Sequence, residues 1–114
     1  MQIEKILDTL EKWFRITGGC GLILPDGWFG RPHDNIHQLT FVKIRQGKII
    51  IELDNTLHLI VTEPKVAENR NNEFILGKFL QCVFDWREYD TGIPHCSYYT
   101  SGDIKFVAPI GFEE

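Results

Sequence analysis

Residues 38–62 read QLTFVKIRQGKIIIELDNTLHLIVT, and they predict three antiparallel strands joined by short turns. Apolar and polar residues alternate here with a period of two, which is the period at which strand side chains return to the same face of a sheet. Gln46-Gly47 and Asp54-Asn55-Thr56 interrupt the alternation with turn-forming residues. Ile50 and Ile60 fall on the face opposite to their apolar neighbours. We therefore expect part of that second face to be covered as well.

The same period continues beyond this stretch, so that residues 37–108 predict a β-meander of about seven strands with turns at intervals typical of all-β folds. The sheet is expected to be mostly antiparallel and long enough to curl into a barrel or half-barrel, which would remove exposed edges. The residues expected to face inward are Leu39, Phe41, Ile49, Ile51, Leu53, Leu57, Leu59, Val61, Leu80, Cys82, Phe84, Trp86 and Phe106.

At the start of the chain the apolar residues recur with the period of a helix instead of that of a strand. Residues 2–16 predict one amphipathic helix, which Gly18 and Gly19 end because glycine adopts a left-handed cap without strain. Its apolar face consists of Ile3, Ile6, Leu7, Leu10 and Phe14. The sequence thus predicts an α+β fold in one domain, residues 1–114, in which this helix packs on the curled meander.

Composition narrows the classes of partner. The 114 residues have a net charge of −4, and 12 scattered Lys and Arg residues form no basic run. Binding to a nucleic-acid backbone requires clustered cations, so we expect no nucleic-acid partner. We expect no membrane partner either, since no apolar run approaches the roughly 20 residues of a spanning helix. The N-terminus lacks the pattern of a signal peptide, which predicts a cytoplasmic protein.

Between the helix and the meander lies the loop 18–36, which contains the sequence GGCGLILPDGWFGRPHDN. Five of the chain's ten glycines occur in it, together with an adjacent tryptophan and phenylalanine. Large aromatic side chains, a cation and permissive glycines suit either a packed structural corner or a recognition loop. Both interpretations stay open at the level of sequence.

The candidate binding residues in this loop are Trp28, Phe29 and Arg31, with His33 and Asp34 beside them. Tryptophan and arginine dominate binding hot spots, which motivates the choice. We expect the partner to be another protein or a small ligand, and a homodimer is left open.

The alternative to a binding loop is a catalytic or metal site formed by His33, Asp34 and His37. Two histidines and a carboxylate within five residues suit a small enzyme or a metal-binding protein. A zinc site would need a third ligand, and Pro32 favours a turn over the helix that would align the two histidines. We therefore predict no metal and no cofactor. The candidates for a third ligand are His58, His95 and Asp85.

The three cysteines, Cys20, Cys82 and Cys96, form no CxxC pair and are expected to be reduced and mostly buried. His95 and Cys96 are neighbours on a predicted strand, so their side chains point to opposite faces and cannot act as a nucleophile and its base. The segment 84–89, FDWREY, predicts a strand with an apolar inner face and a salt-bridged outer face. We predict no catalytic residue.

Three segments carry a resemblance: LPDGWFGRPHDN at residues 24–35, FDWREY at 84–89 and FVAP at 106–109. They resemble the LPDGWFGRPxDN, FDWxEY and FVxP motifs of a family of small uncharacterised bacterial proteins. The resemblance covers residues 20–110 and implies a bacterial, single-domain origin. It implies no activity, cofactor or catalytic residue, but it marks the loop 18–36 as a defining feature. The expected role is that of a non-catalytic binding protein. By analogy with small acidic bacterial α+β proteins, one concrete version of this role is an immunity-like or toxin-neutralising partner.

Overall fold

The computed structural model describes residues 3–30, 36–70, 72–88 and 90–109. Within these residues one helix is followed by ten strands. The elements are α1 (Ile3–Thr17), β1 (Gly21–Leu24), β2 (Gly27–Trp28), β3 (Leu39–Arg45), β4 (Lys48–Leu53), β5 (Leu57–Thr62), β6 (Val66–Asn69), β7 (Glu73–Gly77), β8 (Gln81–Arg87), β9 (Pro94–Tyr99) and β10 (Asp103–Val107).

The strands form two five-stranded sheets. Sheet I has the order β2-β1-β10-β7-β6, sheet II has the order β3-β4-β5-β8-β9, and neighbouring strands are antiparallel in both. The α+β class is confirmed, with more strands than expected. The predicted single curled meander is wrong, because the chain divides its strands between two sheets that do not close into a barrel.

Left-handed residues occur at three of the points where the chain changes sheet. Glu63 (φ 47°) lies between β5 and β6, Lys78 (φ 50°) between β7 and β8, and Gly102 (φ 106°) between β9 and β10. At each corner the chain leaves one sheet and enters the other. Strand spacing in the sequence reports only that a turn occurs, so it could not distinguish a hairpin from a change of sheet.

The loop 18–36 contains a hairpin that the sequence did not predict. Its first strand, β1, pairs along one side with β10, placing Leu22 opposite Phe106, and along the other side with the two-residue strand β2. Gly21–Leu24 reads GLIL and has no alternating period, since three of its four residues are buried. The period-two pattern therefore did not reveal β1 or its pairing with β10 and β2.

The core lies between the sheets, and α1 closes one side of it. The helix contacts β3 and β6, which are the edge strands of sheet II and sheet I. Its buried residues are Ile6, Leu10, Trp13 and Phe14. The Phe14 ring meets Phe106 of sheet I at 5.4 Å between centroids, and Trp13 Nε1 donates a hydrogen bond of 3.3 Å to the Arg70 carbonyl. Trp13 therefore belongs to the core.

Most of the residues predicted to face inward do so, but Phe41 and Leu80 do not. The register of β3 against β4 shifts between Leu39 and Phe41, which indicates a β-bulge. After the shift Val42 and Ile44 pack against the core, whereas Phe41 pairs with Glu52 on the outer face. Leu80 precedes β8 and is 61% exposed.

In the part of the chain that the structure describes, no helix has the combination of length and apolar character needed to cross a membrane.

We predict that Leu10→Ala lowers the free energy of unfolding by about 2–5 kcal/mol, because Leu10 has no exposed surface and its truncation leaves a cavity. The matched control is Ile16→Ala on the same helix, where the side chain is 71% exposed and the loss should stay within about 0.5 kcal/mol. Equilibrium urea unfolding of both variants measures the difference. Equal losses would show that α1 is not packed into the core as described.

Candidate functional site

The adjacent residues Trp28 and Phe29 lie on opposite faces of sheet I. The Phe29 ring enters the space between the sheets, where its centroid is 4.9 Å from that of Phe84 and 5.0 Å from that of Trp86, both edge to face. The Phe29 N–H also donates a 2.9 Å hydrogen bond to the Leu22 carbonyl. Phe29 therefore belongs to the packed corner that the sequence left as one of two interpretations.

Trp28 lies on the outer face of sheet I and is half-buried. Trp28 pairs with Ile23 of β1. Its indole covers Gly21, which precedes Ile23 by two residues and lies on the same face of β1. A Cβ atom at position 21 would lie 3.1 Å from Cζ3 of the Trp28 ring. A side chain at position 21 would therefore press on the Trp28 ring, which would have to shift by a few tenths of an ångström. The Trp28 ring thus has a defined position on the outer face, against the backbone of Gly21.

The base of the loop is closed by a reciprocal backbone pair between Cys20 and His37. The Cys20 N–H donates to the His37 carbonyl at 2.9 Å, and the His37 N–H donates to the Cys20 carbonyl at 2.7 Å. Arg31, His33 and Asp34 lie outside the described residues, so their predicted roles stay predictions.

His37 is buried at the base of the loop, with 5% of its surface exposed. Its Nδ1 lies 2.6 Å from Oδ2 of Asp54, while Oδ1 of the same carboxylate accepts a 2.8 Å hydrogen bond from the Gln38 N–H. Asp54 is in the β4–β5 turn with φ of 53°. The buried Nε2 of His37 has no hydrogen-bond partner among the described residues. The contact between Nδ1 and the Asp54 carboxylate therefore fixes the orientation of the His37 ring.

A second imidazole–carboxylate pair lies beyond Trp86. The His95 ring stacks on Trp86 at 4.5 Å between centroids, and its Nε2 is 2.5 Å from Oε2 of Glu88. The Thr91 hydroxyl donates to the other oxygen of Glu88 at 3.0 Å. Hydrogen bonds from His95 and then Thr91 lower the pKa of Glu88.

Four rings thus form a continuous aromatic row in the order His37, Phe29, Trp86 and His95. A carboxylate holds the imidazole at each end of the row, Asp54 at one and Glu88 at the other. Sequence reasoning found the four rings separately but could not join them, because Phe29 and His37 lie about fifty residues or more before Trp86 and His95 in the chain. The strongest indication of this row in the sequence was the position of Trp86 between charged residues in the FDWREY segment.

The histidines do not converge within the described residues, where no group of three or more His, Cys, Asp or Glu side chains is placed to hold a metal ion. Of the third ligands considered from the sequence, His58 is paired with Glu52 at 2.8 Å and His95 with Glu88.

The cysteines are dispersed over three environments. Burial raises the pKa of the Cys82 thiol to about 12, and burial together with the nearby Asp54 carboxylate raises that of Cys20. Cys96 is exposed, contrary to the expectation of mostly buried thiols for this residue, and it pairs with Asp85 on the neighbouring strand.

We predict that Phe29→Ala lowers the free energy of unfolding by about 3 kcal/mol, because it removes a ring packed between the sheets. Trp28→Ala should cost less, about 1–2 kcal/mol, since that ring is half-buried on an outer face. Equilibrium unfolding in urea compares the two substitutions. If Trp28→Ala lowers the free energy of unfolding more than Phe29→Ala does, then the placement of Phe29 in the core and of Trp28 on the outer face is wrong.

In comparisons with known proteins, no family model, no curated protein and no solved structure matches the chain.

Proposed function

We propose that this chain is a non-catalytic binding protein that engages another protein through the loop 18–36, with Trp28 as the principal contact. The observation that carries the proposal is the separation of the two adjacent aromatic rings. Phe29 is packed between the sheets, and Trp28 is seated on the outer face of sheet I over Gly21. Phe29 then serves the interaction by positioning its neighbour, since its own ring is occupied by Phe84 and Trp86.

A ring held in this way supports binding for an energetic reason. Ordering a mobile side chain on association costs roughly 0.5–1.5 kcal/mol, and a ring already seated in the free protein loses less. Tryptophan and arginine are the residues most enriched among binding hot spots. Arg31, His33 and Asp34 follow Trp28 in the chain, and we propose that they supply the polar contacts around it.

The surroundings of Trp28 favour a protein over a small ligand. The strand registers place Trp28, Ile23, Lys105, Ile75 and Glu68 in one line across the outer face of sheet I. An open groove of about 400 Å³ lies along the far part of this line, where Ile75 is flanked by charged side chains. A mixed apolar and charged face of this kind resembles protein interfaces more than the enclosed apolar pockets that bind small molecules.

The test is a photo-crosslinking amino acid placed at position 28 and exposed to lysate of the source organism. We expect one dominant protein adduct, which Arg31→Ala weakens. The same amino acid at Lys12, an exposed helix position, is the control and should not produce this adduct. Adducts that are identical at both positions, or none at position 28, would count against Trp28 as the contact.

The alternative, a small enzyme or metal-binding protein using His33, Asp34 and His37, is favoured by one observation. The buried His37 ring is oriented by Asp54 and presents Nε2 with no described partner, which is how a carboxylate commonly orients a metal-binding histidine. Native mass spectrometry in the presence of zinc separates the two proposals. Our proposal predicts the mass of the metal-free chain. A stoichiometric zinc adduct that disappears in His37→Gln or His33→Gln would support the alternative.

The bacterial origin and the cytoplasmic location expected from the sequence belong to the same proposal, as does the toxin-neutralising role suggested by analogy.

A further inference from the structure

The outer face of sheet II carries a line of apolar side chains across four strands. On the edge strand β3 the line begins with Lys43, which lies opposite Ile50 and places its Nζ 5.3 Å from the centroid of the Phe41 ring. From there the registers place Ile50 of β4 opposite Ile60 of β5, Ile60 opposite Val83 of β8, and Val83 opposite Tyr98 of β9. We refer to these four residues as the apolar row. Tyr98 is 68% exposed, and the three aliphatic residues are half-buried. This is the second face that the sequence led us to expect to be covered.

The described part of the chain does not cover this face. The helix contacts sheet II at its edge strand β3, and the four buried residues of α1 belong to the core between the sheets. The apolar row therefore faces away from every element that packs against sheet II in the described residues.

Charges of opposite sign flank the apolar row along the strand direction. On one side, towards the β3–β4 turn, lie Arg45 and Lys48, which we call the basic row. On the other side lie Glu52 and Asp85, which we call the acidic row. His58 stands between them in the register, with its Nε2 2.8 Å from Oε1 of Glu52. Arg45, Lys48 and Asp85 form no ion pair with any described residue, and Arg87 donates to the Gly92 carbonyl at 3.3 Å. The salt-bridged outer face predicted for β8 is therefore not formed within the described chain.

We propose that a second copy of this chain covers the outer face of sheet II, giving a two-fold symmetric dimer. The two-fold axis lies between the two faces and runs along the apolar row. Rotation about this axis lays the apolar row of one copy on that of its partner. It also lays the basic row of each copy against the acidic row of the other, so that Lys48 approaches Glu52 of the partner subunit. Aligned packing of two sheets, with the roughly 30° angle that twist imposes, is compatible with this arrangement.

The charge pattern favours a second copy over an unrelated partner. A two-fold interface must be complementary to itself, and a face with an apolar centre between opposite charges meets that requirement. A uniformly basic partner would repel the basic row, and a uniformly acidic partner would repel the acidic row. Self-association sets Lys48 of each copy against Glu52 of the partner subunit, so the interface contains this ion pair twice. The two pairs favour association of a chain whose net charge of −4 otherwise opposes it.

Analytical ultracentrifugation over a wide range of protein concentration tests the proposal. We expect the wild-type chain to form a dimer, and Ile60→Lys and Tyr98→Lys each to raise its dissociation constant by roughly tenfold or more. The matched control is Ile16→Lys, which places the same charge on an exposed helix position outside the face. Circular dichroism establishes that the variants are folded, and Tyr98 is exposed enough for its substitution to be tolerated if Ile60→Lys unfolds the chain.

Charge reversal distinguishes this dimer from other modes of association. Lys48→Glu sets like charges against the acidic row of the partner and should weaken the dimer roughly tenfold at low salt, with partial recovery at high salt. Lys12→Glu changes the net charge equally at a site on the helix and should leave the dimer intact, as should Trp28→Ala on the outer face of sheet I. A wild-type chain that stays monomeric, or a dimer insensitive to Ile60→Lys, Tyr98→Lys and Lys48→Glu, would overturn the proposal.

Discussion

The pairing of β1 with β10 is the interaction on which the rest of the structure depends. It joins the strand that follows the helix to the last strand of the chain and places Leu22 opposite Phe106. The same pairing brings Phe106 against Phe14 of α1, so the helix is held to the strands at both ends of the chain. It also supports the hairpin that positions Trp28 and Phe29, since β2 pairs only with β1 in the described sheets.

The sequence predicted those parts of the fold that depend on local periodicity. The helix was placed within about one residue of its bounds, because an apolar stripe followed by two glycines is a local signal. The strands from β3 onwards were found for the same reason. The division into two sheets was not predictable, since it depends on which strands pair over long distances in the sequence. Left-handed residues do not mark it, because they occur at changes of sheet, as at Glu63, and also in hairpin turns, as at Asp54. The bulge in β3 likewise reversed the expected orientation of Phe41, because one extra residue changes which side chains face the core.

Prediction of the candidate site from the sequence was limited in a similar way. Sequence reasoning identified the loop 18–36 and both of its aromatic residues. It could not separate their roles, because these depend on which face of sheet I each ring lies against. The pairs His37–Asp54 and His95–Glu88 were also inaccessible, since each partner lies on a different turn or strand. What the structure adds is a distinction between groups occupied within the fold, such as Phe29, and groups on the outer faces, such as Trp28 and Tyr98.

The position of β1 beside β10 has a consequence for how the chain folds as it is made. Residues 21 and 107 are partners in the finished sheet, although almost the whole chain separates them. Contacts of such large sequence separation slow folding, because the entropy of closing a long loop is lost before the contact is gained. During synthesis β1 therefore leaves the ribosome long before its partner exists. Its buried leucines and the apolar side of α1 must remain exposed until β10 emerges, which makes the nascent chain a natural client for a chaperone that shields apolar segments.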